Sequence, residues 1–377
     1  MSLIAPTAAV DHGDDVLVLS SGDVQLPLHQ PAAAPKARRA DQPYRPPAGD
    51  AALREAITRY AADAACGGAG RAGFASSQVV VTPGARQAIF ITLLSILAGE
   101  RREVLIPAPY WASYPRLVEM AGGVPVIVEG ERGRSPDPDT LAARTTDRTA
   151  LIILNSPRNP DGVVTPADML RRITDWAGNR GLTLLFDQVY RGVALQERSS
   201  PTVTDLYPEL PEHVVLIDGV TKSHALAGLR LGWAVGGRAT AGRITATSSH
   251  LIGHTSGLVQ DVGVELLAHG ERDRRALGTR LASHLESALA ELATIPGLRY
   301  HRPEGGIFLF PDVREWLAHA APDEAVADMS GWLRTQHGLA AVDGAAFGAP
   351  GHLRLSFAVP SDLLLDGLGR LRHALTS

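Results

Sequence analysis

Six short, almost wholly apolar runs punctuate the first part of the chain: QVVVT (78–82), EVLIP (103–107), VPVIV (124–128), TALIILN (149–155), LTLLFD (182–187) and VVLID (214–218). None alternates apolar with polar residues, so each reads as a strand buried on both faces. Stretches with helical spacing lie between them. DAALREAITRYAADAA opens at Asp50, a side chain suited to capping a helix after Gly49. ARQAIFITLLSILA begins just past Pro83 and Gly84, another helix covers 112–121 and stops at Gly122, and PADMLRRITDWAGNRG supplies a further one. Buried strands alternating with helices predict a parallel sheet covered on both faces. In such sheets ligands collect at the carboxyl ends of the strands.

The pattern changes after about residue 255. A long helical segment (258–293) leads to the strand-like GGIFLFPDV (305–313) and HLRLSFAV (352–359), and a helix closes at 361–375. The charges of GERDRRALGTR (270–280) read as an exposed helix face. We expect a large domain over 45–255 and a smaller α+β domain made of 1–44 and 256–377. Residues 20–49, rich in Pro and Ala, read as an extended connection, and the basic KARR (36–39) as a solvated part of it.

At 377 residues the chain exceeds what one core fills, and 45% hydrophobic with 20% charged residues is ordinary for a globular protein. A net charge of −4 provides no general attraction to nucleic acid or anionic membrane, and no apolar run is long enough to span a bilayer. The lone cysteine, Cys66, has no intrachain partner and reads as packing, which fits a reducing compartment. MSLIAPTAAVDHGDD lacks the basic start of a secretion signal, so we expect a cytoplasmic enzyme. No His, Cys or carboxylate cluster has metal-ligand spacing, and GGAGRAG (67–73) follows no strand and reads as a loop.

Polar clusters stand at the predicted strand ends. TPGARQAIF (82–90) puts glycine at a strand-to-helix turn, where free backbone N–H groups and the helix dipole favour an anion. NSPRNPDG (155–162) is a rigid turn carrying two asparagines, and FDQVY (186–190) ends a buried strand with a carboxylate and a nearby phenol. VTKSHALAGLRLGW (220–233) places Lys222 and Arg230 in apolar company, where an unpaired ammonium is costly. A lysine so placed has a lowered pKa and is nucleophilic as the free amine.

Taken in order, N-x-P-x-N-P-x-G, D-x-x-Y, Lys222 with G-x-R ending at Arg230, and the late R-L-S resemble the class I/II aminotransferases, members of the fold-type-I pyridoxal-phosphate-dependent superfamily. The likeness runs from YRPPAGDAALREAI (44–57) to GHLRLSFA (351–358). It implies an α/β fold, with a large domain built on a mainly parallel seven-stranded sheet between helices and a smaller α+β domain. It also implies pyridoxal 5′-phosphate as cofactor and an amino acid and a 2-oxo acid as substrates.

By this resemblance Lys222 forms a Schiff base with the cofactor aldehyde and later carries a proton, and Asp187 pairs with the pyridine nitrogen. Tyr190 and Asn159 meet the ring's phenolic oxygen, and Trp111 stacks on the ring. Gly84, Ala85 and Arg86 through their backbone, Thr221 through its hydroxyl and Arg230 through its guanidinium hold the phosphate. Arg354 takes the substrate α-carboxylate, with Asn159, Trp111 and the Gly22 backbone beside the substrate. The tyrosine matching Tyr44 reaches the partner subunit's phosphate site, which implies a homodimer.

Three positions depart from the family pattern. Asp161 stands where threonine is usual, adding a negative charge to the asparagine turn. The segment SSGDVQLPLHQP (20–31) is short beside the loop and helix common there, and His12 and His29 near it read as surface residues. Gly219 replaces the hydroxyl residue some members place three before the lysine. The same residues also support β-elimination by a C–S lyase, cyclisation, decarboxylation, amino-acid oxidation or a histidinol-phosphate-type transamination. A cofactor-binding regulator would need a DNA-binding domain, for which the residues before 44 leave no room.

Overall fold

The computed structural model describes residues 16–26, 43–62, 72–97, 99–130, 133–193, 195, 200–319 and 328–376. His12, His29, the KARR run and Cys66 lie outside these residues, as does most of GGAGRAG. The strands are β1 (Leu17–Val18), β2 (Val79–Thr82), β3 (Glu103–Pro107), β4 (Val124–Val128), β5 (Thr149–Asn155), β6 (Thr183–Asp187), β7 (Val214–Gly219), β8 (Gly232–Gly236), β9 (Phe308–Leu309), β10 (Leu339–Ala340), β11 (Val342–Asp343) and β12 (Leu353–Ser356).

Seven of them form one sheet in the order β2-β8-β7-β6-β5-β3-β4. All its pairings are parallel except those of β8, which runs antiparallel to β2 and β7. Alternate residues of the central strands enter separate cores. Leu105, Ile152, Leu184, Phe186 and Leu216 pack on one face, and Val104, Ile106, Leu151, Leu185 and Val215 on the other. Helices cover both faces, so neither side chain of a successive pair meets water. That is why the runs read as continuous apolar blocks.

Two smaller sheets accompany it: antiparallel β11-β12-β9, and the parallel pair β1-β10. They share a third core with the helices Glu271–Leu292, Met329–His337 and Ser361–Thr376. Two expectations are corrected here. The segment read as one long helix is two, Gly257–His269 and Glu271–Leu292, parted at Gly270. The first packs Val259, Val264, Leu266 and Leu267 on the large-sheet core, while the second buries Leu277, Leu281 and Leu285 in the small one. Nor is the charged stretch wholly exposed, because Arg274 is buried with its guanidinium 5.4 Å from the Tyr60 ring. One helical turn cannot keep every charge outward when its neighbouring turns face a core.

Residues 16–26 do more than connect. β1 pairs in register Leu17↔Leu339 and Val18↔Ala340, and Leu19 accepts from the Ser356 amide through its carbonyl. The segment is thereby tied to β10 and β12, and it passes over the carboxyl end of the large sheet.

Candidate active site

Strand β6 ends in Asp187, buried to 4% exposure. Its carboxylate accepts from the Tyr114 hydroxyl at 2.6 Å and the Val189 amide at 3.2 Å. Burial raises its pKa to about 6, against the pull of those two donors and of Lys222. On the next strand, β7 runs out at Gly219 into the helical turn Val220–Ser223, which carries half-buried Thr221 and Lys222. The Lys222 Nζ donates to the Gly22 carbonyl at 2.5 Å. Burial lowers its pKa to about 8; the Asp23 carboxylate opposes that shift, while the cations Arg354, Arg230 and Arg86 add to it.

Between β5 and the following helix, the asparagine turn is held by its own side chains. Asn155 donates from Nδ2 to the Asp187 carbonyl at 2.9 Å and accepts from the Asn159 amide at 2.8 Å. Asp161 adds no free charge, because it forms a buried two-point ion pair with Arg158. The expected structural effect of that departure is therefore a neutral, braced turn.

Asn159 Oδ1 accepts from Arg354 Nη1 at 3.2 Å, and Arg354 Nη2 donates to the Ser20 carbonyl at 2.9 Å. The guanidinium lies 4.2 Å from the Phe308 ring centre and 4.8 Å from that of Phe347. Its Nε is buried without a partner among the described residues, and burial lowers its pKa to about 10, so the group stays charged at neutral pH. A buried cation with an unused donor is suited to a carboxylate. Tyr190 packs edge-on to Phe308 at 6.1 Å, and burial pushes its hydroxyl far above the usual tyrosine range.

At the far side, the helix Ala85–Ile96 starts at Gly84 with no side chain capping it. Gly84 has φ of 89°, and a Cβ there would collide with the Arg230 guanidinium. Arg230, exposed and itself left-handed at φ 56°, donates to the carbonyls of Ala227 and Pro83. The Arg86 guanidinium stands 5.0 Å from the Trp111 ring centre, and Trp111 meets Tyr114 edge-on at 5.3 Å.

The fold thus assembles Gly22, Gly84, Ala85, Arg86, Trp111, Asn159, Asp187, Tyr190, Thr221, Lys222, Arg230 and Arg354 at one end of the large sheet. Tyr44 is not among them within one chain: it is 96% exposed, edge-on to His254 at 5.9 Å. Sequence reasoning missed Tyr114, Asp23 and the two phenylalanines around Arg354. Tyr114 carries a faint signal, three residues after Trp111 and hence one helical turn away.

These residues fit pyridoxal phosphate: an amine for its aldehyde, a buried carboxylate for its ring nitrogen, and an uncapped helix start with a guanidinium for its phosphate. The profile of the family described as Aminotransferase class I and II matches residues 14–371. The chain is a class I/II aminotransferase. Aspartate aminotransferase of Geobacillus stearothermophilus is 33% identical over 96% of this chain and 91% of its own length. Aspartate/prephenate aminotransferase of Thermus thermophilus is 31% identical over 96% of this chain and 92% of its own. Among solved structures, the Thermus thermophilus aspartate aminotransferase with maleate superposes with a TM-score of 0.82 at 29% identity, over 96% of this chain and 92% of that one.

The aminotransferase is therefore a pyridoxal-phosphate-dependent transaminase that acts on an amino acid and a 2-oxo acid. The relatives are transaminases, which favours that reaction over the lyase, cyclase, decarboxylase and oxidase outcomes and over the histidinol-phosphate type. No helix among the described residues is long and apolar enough to cross a membrane.

Proposed function

We propose that the enzyme moves the amino group of L-aspartate, or a similar dicarboxylic amino acid, to a 2-oxo acid, one substrate following the other at a single site. The observation carrying this reading is the placement of a Lys222 amine with a pKa near 8 among a buried Asp187 carboxylate and an Arg354 fork with an unused donor. The choice of aspartate comes from the names of the relatives. When bound, the cofactor supplies an electron sink for the electrons of the substrate Cα–H bond.

Each residue then has a task. Asp187, oriented by Tyr114, would pair with the ring nitrogen and keep it protonated. Tyr190 and the Asn159 amide nitrogen would donate to the ring oxygen, and Trp111 would cover the ring face. Gly84, Ala85, Arg86, Thr221 and Arg230 hold the phosphate. Arg354 binds the α-carboxylate between Asn159 and Ser20, beside Gly22. Lys222, whose lowered pKa leaves a share of free amine near neutral pH, would accept the Cα proton and pass it on toward the cofactor.

We further propose a homodimer in which Tyr44, exposed in one chain, completes the phosphate site of its partner. The single cysteine fits a cytoplasmic location.

The test is the absorption of purified protein reconstituted with pyridoxal phosphate. L-Aspartate should bleach the visible band and 2-oxoglutarate should restore it, with Lys222→Ala showing neither. A Lys222→Ala band that cycles as the wild type's does, or a wild-type band that no amino acid changes, would overturn the reading.

A further inference from the structure

We propose that the Arg86 side chain is a second cation on the cofactor phosphate, so that the phosphate sits between the guanidinium groups of Arg86 and Arg230. This rests on the reading of 84–86 and 230 as the phosphate site, but it concerns the side chain rather than the backbone of Arg86. Three observations carry it.

The first is placement. Gly84 lies against the Arg230 guanidinium, and Arg86 is two residues on, in the opening turn of the same uncapped helix. Arg86 thus belongs to the same helix opening that the Arg230 guanidinium lies against.

The second is charge. Among the described residues neither Arg86 nor Arg230 forms an ion pair, and the bonds Arg230 makes are to carbonyls. Burial first and the charge of Arg230 second lower the Arg86 pKa. Two uncompensated guanidinium groups held together are unfavourable until an anion lies between them. A phosphate monoester, close to a dianion at neutral pH, matches that need.

The third is orientation. Arg86 is exposed, yet its guanidinium is stacked over Trp111, which gives the fork a preferred orientation beside the site. A preoriented fork loses less freedom on binding phosphate than a mobile lysine would.

The test compares two probes on the apoenzyme by equilibrium dialysis: pyridoxal phosphate, and pyridoxal, which has the ring and aldehyde but no phosphate. Arg86→Gln should weaken pyridoxal phosphate by about tenfold to a hundredfold, the effect of one charge-assisted contact. Its pyridoxal affinity should match the wild type, and Arg86→Lys should fall between the two for pyridoxal phosphate. Inorganic phosphate should compete with pyridoxal phosphate less well in Arg86→Gln than in the wild type.

Equal losses for both probes would overturn the proposal, placing the effect of Arg86 on the ring through Trp111. An unchanged affinity for pyridoxal phosphate would overturn it as well. If the wild type bound neither probe, the reading of the site itself would fall, and the proposal with it.

Discussion

Asp23 shows how a single exposed carboxylate tunes a lysine it was never predicted to serve. It is the acid that opposes the loss of the Lys222 proton, against burial and three arginines. The lysine's pKa lies below the ordinary 10.5, so the unfolded chain binds more protons between about 8 and 10.5. Stability contributed at this site therefore rises with pH across that window. The rate at which apoenzyme captures pyridoxal phosphate should likewise rise through pH of about 8, as the free amine appears. Asp23→Asn should move that midpoint lower, read from capture rates across a pH series; an upward move would contradict the assignment. Tyr114→Phe acts on the other partner. It removes a donor that lowers the Asp187 pKa, so the carboxyl should titrate above about 6 and the acid limb of the activity profile should shift upward. A loss of about tenfold to a hundredfold at pH 7 is expected from one hydrogen bond to a buried charge. The motif residues were legible because lysine, aspartate and arginine are conspicuous in apolar runs. Tyr114 and Asp23 were not, because their meaning comes from strands and segments far apart in sequence, Tyr114 meeting Asp187 across 73 positions.

Among the elements, those that bury both faces were read well. EVLIP and TALIILN coincide with β3 and β5, since an unbroken apolar run admits little else between helices. VPVIV coincides with β4 but is not buried on both faces as expected, because it lies at the sheet edge with Val124 exposed. β8 went unread: GWAVG is short, glycine-flanked and antiparallel, and its role is fixed by pairing with β2 and β7. The strands of the smaller sheets were overdrawn, GGIFLFPDV yielding only the two residues of β9. Their apolar residues serve a core shared with helices, which sequence spacing does not distinguish from a longer ladder. The asparagine turn illustrates an element braced by charge. Asp161→Asn would leave Arg158 buried without its counter-ion, at a cost of about 3–5 kcal/mol. The apparent melting temperature should drop by several degrees in Asp161→Asn, and Arg158→Met/Asp161→Leu together should lose less than either single change. If the single variants melt like the wild type, the brace has no mechanical role.

For the molecule as a whole, the proposed dimer makes a prediction no single chain can satisfy. Mixing Lys222→Ala with Tyr44→Ala subunits creates hybrids in which one of the two sites has both residues. After unfolding and refolding together, half the dimers are hybrid, so activity should recover to about a quarter of the wild-type value. No recovery beyond the sum of the parents would place Tyr44 outside the partner's site. The strap that runs over the sheet has a further consequence, in the order of synthesis. Ser20 waits for Arg354, 334 positions later, and Leu19 for Ser356. Lys222, Asp187 and the helix at Gly84 emerge from the ribosome long before that arginine. The grip on the amino acid is thus the last part of the site to be made, because it waits for both ends of the chain, while the residues proposed to hold the cofactor have already been synthesised.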